Sequence, residues 1–243
     1  ERSWDHHMML SAPRRFYKAV TVERGDKGWH VHLDGKQLRS PAKQALALPT
    51  RALAEAIAAE WDAQGEKIAP QTMPFVQLAA TAIDRVAAER ARVLAETAGY
   101  AGSDLVCYRA AAPADLARRQ AELWQPLVEW VGERYDVALA VTTGILAVPQ
   151  PDQALERFHR VLKAADDFAL TALAAMTGAA GSLVIALALA EGRLTAEQAA
   201  EAALLDELHQ AEKWGSDPEA EQRRAAIRRD LADGLAFLRL SRA

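Results

Sequence analysis

Residues 166–190 read DDFALTALAAMTGAAGSLVIALALA, and this stretch decides the fold of the chain. After Asp166 and Asp167 it carries no charged residue until Glu191. A helix that is apolar on every side is either buried in a protein or crosses a membrane. The run is long enough to span a bilayer, but alanine dilutes it, no Lys/Arg cluster flanks it, and acids stand at both ends. We therefore predict one buried helix over residues 166–190, with other helices packed around it.

The composition limits the classes of protein to consider. The chain has 243 residues, 51% of them hydrophobic, which is enough for one large domain or two smaller ones. A formal net charge of −4 argues against nucleic acid as the main partner. Residues 1–50 carry a net charge of +4 and the remainder −8, so the N-terminal fifth of the chain is basic and the rest is acidic. Cys107 is the only cysteine, which excludes an internal disulfide and suits a reducing compartment.

The strand signals lie in residues 14–48. Apolar residues alternate with His30 and His32 across residues 29–33, which is typical of a half-buried strand. Asp34-Gly35 comes directly after them and is a strong signal for a two-residue hairpin turn. These features predict a small antiparallel sheet, which must pack on the helices after it because it is too small to be stable alone.

From Pro49 onward the apolar period becomes helical. Thr50 is placed to cap the first helix, and residues 195–198 form a capping box for a later one. Pro126 falls inside a helical pattern, where the proline ring is expected to kink or break the helix.

These patterns predict an α+β fold in two parts. Residues 1–70 form a small antiparallel β-rich N-terminal domain with its connecting helix. Residues 71–243 form a larger all-helical bundle around the buried helix 166–190.

A search for reactive groups finds no phosphate loop, Rossmann glycine pattern, zincin motif, paired CxxC or nucleophile elbow. His30 and His32 share a strand face, but no third ligand lies nearby, so we interpret them as a solvated face rather than a metal site. Cys107 follows Val106 and is interpreted as a small buried hydrophobe rather than a nucleophile. The residues therefore indicate a soluble, mostly helical binding protein without metal or cofactor.

The tryptophans and the acidic C-terminal region have two interpretations each. Tryptophans are enriched in binding hot spots, yet we interpret four of them mainly as core anchors: Trp61, Trp124, Trp130 and Trp214. The acids around Trp214 are interpreted as a solvated helix face.

Several short motifs occur together in one order. They are RRFY (14–17), LDGK (33–36) with SPAK (40–43), LPT (48–50), EWDAQ (60–64), MP (73–74), TAID (81–84), DLVCYR (104–109), QAELW (120–124) and EKWG (212–215). Each motif is weak alone, but the ordered set resembles the assembly chaperones that serve the alpha subunit of the ATP synthase catalytic head. The resemblance runs from about Arg14 to the last helix.

This resemblance implies a non-enzymatic role without a cofactor. Such a chaperone holds the free alpha subunit, prevents its aggregation, shields the surface later buried against beta, and hands alpha over to the beta subunit during assembly. It implies no nucleic acid, no membrane insertion and a monomer when free. A bacterial member is expected in the cytoplasm and a eukaryotic one in the mitochondrial matrix.

The resemblance also implies which residues act. It concentrates partner binding on the acidic helix before the Lys-Trp-Gly step, namely on Glu207, Asp206, Glu212, Lys213 and Trp214. Structural or surface roles are implied for Trp61, Asp84, Asp104, Tyr108, Arg109 and Trp124. Two alternatives stay open at this point. One is a small-molecule enzyme using Asp84, Cys107 and Arg109 in a cleft between domains, and the other is a membrane-anchored helix pair.

Overall fold

The computed structural model describes residues 13–243, and the chain divides into two compact units. The first unit contains the described residues up to Ala88 together with Arg239–Ala243, and the second contains Glu89–Leu238. A small antiparallel sheet precedes a mostly helical remainder, which confirms the predicted α+β class. The domain boundary expected at residue 70 stays a prediction, while the change of compact unit falls after Ala88.

The first unit is built on a three-stranded antiparallel sheet. Its strands, in spatial order, are β1 (Val20–Gly25), β2 (Gly28–Leu33) and β3 (Lys36–Gln37). The predicted hairpin between β2 and β3 is confirmed, with φ of 48° at Asp34 and 76° at Gly35, as a tight two-residue turn requires. The Asp34 carboxylate also accepts hydrogen bonds from the amides of Lys18 (3.0 Å) and Ala19 (2.8 Å), so the turn is tied to the start of β1.

One helix, α1 (Arg51–Asp62), packs against β1 and β2. Thr50 caps it as predicted, since its hydroxyl oxygen accepts a hydrogen bond from the Leu53 amide at 3.1 Å. The inward face carries Leu53, Ala54 and Ile57, which are fully buried. Burial of these aliphatic side chains joins helix and sheet into one core.

The next helix, α2 (Pro74–Thr81), is capped by a side chain from α1. The buried carboxylate of Glu60 accepts hydrogen bonds from the amides of Phe75 (2.6 Å) and Val76 (2.9 Å). A carboxylate is favourable there because the free amides and the helix dipole give the helix N-terminus a partial positive charge. A π-helical segment, Ala82–Val86, continues α2.

The second unit is helical. Its elements are α3 (Arg90–Gly99), β4 (Tyr108–Arg109), α4 (Ala114–Tyr135), β5 (Thr142–Thr143), α5 (Asp152–Lys163), α6 (Asp167–Ala180), α7 (Leu183–Ala190), α8 (Ala196–Ala203), α9 (Leu205–Trp214) and α10 (Pro218–Leu240), of which the last two residues belong to the first unit. Strands β4 and β5 form a short parallel pair. Helix α7 lies deepest in this unit, and every residue from 183 to 189 is buried.

The prediction of one continuous helix over residues 166–190 is wrong, although its burial is confirmed. The chain breaks at Gly181, which adopts a left-handed φ of 66°, and Ser182 begins α7. The break is held by Asp104, whose carboxylate accepts hydrogen bonds from the Ser182 hydroxyl (2.5 Å) and the Val184 amide (3.0 Å). No helix within residues 13–243 has the length and apolar character needed to cross a bilayer.

Of two other helix predictions, one is wrong and one is confirmed. Helix α4 continues through Pro126, so the expected break is wrong. Trp124 and Leu127 are buried on either side of the proline, and their packing holds the helix together despite one missing hydrogen bond. The capping box at Thr195 is confirmed; its helix ends at Ala203, and α9 begins as a separate helix at Leu205.

We predict that Asp104→Asn destabilises the protein by about 1–3 kcal/mol at neutral pH. Oδ1 of Asp104 accepts from the Ser182 hydroxyl and Oδ2 accepts from the Val184 amide. Asparagine would turn an NH₂ group toward one of these donors and leave it unpaired in a buried place. Urea denaturation measures the change, with the exposed Asp26→Asn as control, expected within about 0.5 kcal/mol of wild type. Equal losses in the two variants would contradict the role of Asp104.

The same carboxylate predicts a pH dependence. Burial raises the pKa of Asp104 from 3.8 to about 6, although its hydrogen bonds act in the opposite direction. Because the pKa is higher in the folded than in the unfolded chain, stability from this group is lost as pH rises from about 4 to about 6. Going from about pH 7.5 to about pH 4.5 should stabilise wild type relative to Asp104→Asn by about 2 kcal/mol. Urea denaturation at both pH values tests this, and a constant difference would refute it.

Candidate functional site

The residues expected to bind a partner lie on α9. We call Asp206, Glu207, Glu212, Lys213 and Trp214 the α9 surface. Leu205 and His209 are buried, on the face of the helix that also carries Glu212 and Lys213. Gly215 ends the helix with a φ of 82°. Glu207 and Trp214 point away from the buried residues, whereas Glu212 and Lys213 lie beside them.

Three members of the α9 surface are held by α4. The pairs are Asp206 with Gln120 (2.7 Å), Glu212 with Arg119 (2.8 Å) and Lys213 with Asp115 (2.9 Å). Arg119 lowers the pKa of Glu212, and Lys213 lowers that of Asp115, so both acids are ionised at neutral pH. Exposed ion pairs contribute little stability, so the main effect of these pairs is to orient α9.

Glu207 is oriented by α10. Its carboxylate lies 2.5 Å from the guanidinium of Arg223, and the two side chains are 34% and 58% exposed. A pair this accessible is solvated and contributes little stability, so its carboxylate can bind another cation at small cost. The Glu207 carboxylate is therefore accessible to a partner rather than buried in a structural role.

Trp214 is the largest exposed apolar side chain of the α9 surface, with 88% of its area accessible. The interpretation of Trp214 as a core anchor is wrong, because it is the last residue of α9 and the chain turns away at Gly215. Trp124, in contrast, is fully buried, as predicted. An exposed tryptophan beside charged residues has the composition of a binding hot spot.

In the first unit, Trp61 and Asp84 take part in internal contacts. The Trp61 ring meets the Tyr17 ring edge-on at 5.7 Å, and its backbone carbonyl accepts the Tyr17 hydroxyl hydrogen bond at 2.7 Å. The Asp84 carboxylate accepts hydrogen bonds from the Ser40 hydroxyl (2.6 Å) and the Ala42 amide (3.0 Å). Both residues thus fix loops around the sheet.

In the second unit, Arg109 of β4 lies against Trp124 in the middle of α4. Tyr108 and Arg109 form β4 and are half-buried. The Arg109 guanidinium donates to the Val106 carbonyl at 2.8 Å and lies over the Trp124 ring at 6.0 Å. The Trp124 indole donates to the Ala202 carbonyl at 2.9 Å, which joins α4 to α8.

The proposed enzyme centre of Asp84, Cys107 and Arg109 lacks a reactive nucleophile. Cys107 is a buried hydrophobe, as predicted. Burial, reinforced by the nearby Asp104, raises the pKa of its thiol to about 12, whereas nucleophilic cysteines have a lowered pKa. Asp84 belongs to the first compact unit and the other two residues to the second. Each of these side chains has a structural explanation.

The interpretation of His30 and His32 as a solvated face is wrong for His30, which is only 8% exposed. Its ring lies where a side chain at Gly25 would stand, and its Nδ1 contacts the side-chain amide of Gln37. Burial, followed by the neighbouring His32, lowers the pKa of His30. Within residues 13–243, no group of three His, Cys, Asp or Glu residues is placed to hold a metal ion.

The sequence did not reveal an apolar groove in the first unit. It has a volume of about 1100 Å³, and its apolar walls include Phe16, Leu38, Trp61, Ile68, Met73 and Val76. Phe16 is 71% exposed although it is aromatic. The walls come from residues that are far apart in sequence and follow no single period. The one local signal was RRFY at 14–17, whose aromatic pair we assigned to a strand.

Comparison with known families and proteins identifies relatives of this chain. The model of the family described as ATP12 chaperone protein matches residues 14–132. The mitochondrial protein atp12 of Schizosaccharomyces pombe is 26% identical over 223 residues, covering 86% of this chain and 76% of that protein.

Solved structures give a closer match. The crystal structure of Atp12 from Paracoccus denitrificans is 41% identical, with a TM-score of 0.90 and coverage of 94% of this chain and 98% of that one. A protein from Agrobacterium tumefaciens is 42% identical, with a TM-score of 0.89 and coverage of 93% and 85%. The similarity thus extends over nearly the whole described fold.

We predict stability effects of very different size at two tryptophans of the second unit. Trp214→Ala should change the free energy of unfolding by less than about 0.5 kcal/mol, because the side chain is already in solvent. Trp124→Ala should cost about 3–5 kcal/mol, because it leaves a cavity and an unpaired Ala202 carbonyl. Urea denaturation followed by circular dichroism measures both. A large loss in Trp214→Ala would show that this residue packs in the core.

Proposed function

Because this chain belongs to the ATP12 chaperone family, and is therefore an assembly chaperone rather than an enzyme, we propose that its client is the free alpha subunit of the ATP synthase catalytic head. In this proposal the protein binds alpha, prevents its aggregation, and hands it over to the beta subunit during assembly. The free chaperone is a monomer. It works in the cytoplasm of a bacterium or in the mitochondrial matrix of a eukaryote.

The observation that carries this proposal is the α9 surface, where an 88% exposed tryptophan ends a helix that also presents the accessible acid Glu207. A subunit of an obligate hetero-oligomer exposes apolar surface before its partner arrives, and such patches aggregate. Trp214 can cover part of that patch, while Glu207 pairs with a basic group on alpha. The buried side of α9 keeps both residues in place.

The binding strength must be moderate for the chaperone to release its client. Partner exchange at Glu207 exposes Arg223 to water rather than leaving a buried charge unpaired, so neither binding nor release carries a large electrostatic penalty. The larger alpha–beta interface can then displace the chaperone.

Size-exclusion chromatography with light scattering tests the proposal. Freshly refolded alpha subunit, free of beta, should co-elute with the chaperone as a soluble complex, and added beta should release the chaperone. Aggregation of alpha without a complex would refute the assignment of the client. A complex that beta leaves intact would refute the handover.

We predict that Glu207→Lys abolishes co-elution with alpha while the variant stays folded. Lysine at this position repels the basic group on the client. Circular dichroism and urea denaturation check the fold. The control is Glu122→Lys, which removes another exposed acid that is paired with an arginine four residues away, in α4. It should bind alpha normally.

A charge swap separates client binding from internal pairing. Glu207→Lys combined with Arg223→Glu rebuilds the ion pair between α9 and α10 with its charges reversed. This double variant should regain any lost stability and still bind alpha at least about tenfold more weakly than wild type. Normal binding by the swapped variant would show that Glu207 acts only by holding α10.

A further inference from the structure

The groove in the first unit has two features beyond its apolar walls. The only charged residues of the described chain that line it are Arg39 and Lys67. Both are exposed, and neither forms an ion pair with any residue from 13 to 243. The Arg39 guanidinium donates a hydrogen bond to the Lys43 carbonyl at 3.0 Å, which uses one of its five N–H donors. The groove is therefore apolar inside and positively charged outside.

The groove walls are fixed by the core beneath them. Met73 and Ile68 are 2% and 6% exposed and belong to one cluster with Tyr17 and Leu33, against which Trp61 packs. A site on such walls exists before a ligand arrives, so binding costs little reordering. The indole N–H of Trp61 is closed off from solvent and finds no acceptor among the described residues. Because this N–H is enclosed, it is not part of the groove surface.

We propose that this groove binds an extended polypeptide segment in which apolar residues alternate with carboxylates. Alternate side chains of an extended chain point in opposite directions, so one set can enter the groove while the other meets Arg39 and Lys67 at its rim. A volume of about 1100 Å³ exceeds the usual range of a small-molecule pocket and suits several residues of a chain. That the segment belongs to the client rests on the proposed function, whereas the binding chemistry does not.

The groove rim and the α9 surface carry charges of opposite sign. The α9 surface presents acids and so selects basic groups, whereas the groove rim is cationic and selects acids. The two sites therefore bind different segments. In terms of the proposed function, the groove is a second contact with the client, and it binds an acidic segment.

Fluorescence anisotropy with short labelled peptides tests the groove on the full-length chain. The first peptide alternates leucine and phenylalanine with glutamate, the second carries lysine in place of glutamate, and the third carries serine in place of the apolar residues. Wild type should bind the first peptide at least about tenfold more tightly than either of the others. Equal affinity for the first two peptides would overturn the role of the cationic rim. Equal affinity for the first and third would overturn that of the apolar walls.

Charge-reversal variants locate the site. Arg39→Glu combined with Lys67→Glu should weaken the glutamate peptide by about tenfold or more and improve binding of the lysine peptide. Lys27→Glu with Lys36→Glu makes the same change of net charge at two lysines that do not line the groove, and it should leave both affinities unchanged. Phe16→Ala should weaken the glutamate peptide severalfold without loss of fold, because this ring is 71% exposed. Equal effects of the two double variants would overturn the proposal.

The same variants separate this inference from the client assignment. If wild type binds the glutamate peptide but no alpha, the groove stands and the assigned client is wrong. If alpha co-elutes but the glutamate peptide does not bind, the client stands and the groove is refuted. A concentration-dependent dimer of wild type that Phe16→Ala abolishes would place a second copy of this chain in the groove and likewise overturn the proposal.

Discussion

The helical unit depends on the junction between α6 and α7, and the buried carboxylate of Asp104 stabilises this junction. This carboxylate is fully enclosed, and its oxygens accept hydrogen bonds from the Ser182 hydroxyl and the Val184 amide. These bonds end one apolar helix and start the next, so a run that would otherwise extend straight becomes two helices packed on each other. A charged group is retained in the apolar core because it satisfies backbone and hydroxyl donors that the break would leave unpaired.

Helix α4 connects the core of the helical unit to the α9 surface. Trp124 and Gln120 bind the neighbouring helices through the Ala202 carbonyl and the Asp206 carboxylate. On an adjacent face of α4, Arg119 and Asp115 pair with Glu212 and Lys213 of the α9 surface. A single long helix thus contacts the core on one face and fixes α9 through an adjacent face, so α9 needs no loop to hold it in place.

The sequence predicted the features that local chemistry determines. The Asp34-Gly35 hairpin, the Thr50 cap and the Thr195 capping box all depend on residues within a few positions, and the structure contains each of them. The break at Gly181 was missed although its signals are local, namely a left-handed glycine followed by Ser182, whose hydroxyl caps α7 by accepting from the Ile185 amide at 3.0 Å. Only the supporting acid, Asp104, lies far away, 78 positions from Ser182. The burial of His30 depends on the absence of a side chain at Gly25 across the hairpin. The exposure of Trp214 could not be read from composition, since tryptophan favours both cores and interfaces.

If both proposals hold, the two binding sites explain how the chaperone can hold its client and still release it. A holder must keep an apolar client from aggregating and yet lose it to a larger permanent interface. A single strong site would resist release, because its whole binding free energy must be overcome in one step. Two moderate sites of opposite charge bind two segments, and binding of one raises the effective concentration of the other. An arriving subunit that covers either segment removes this gain, so the remaining contact dissociates quickly.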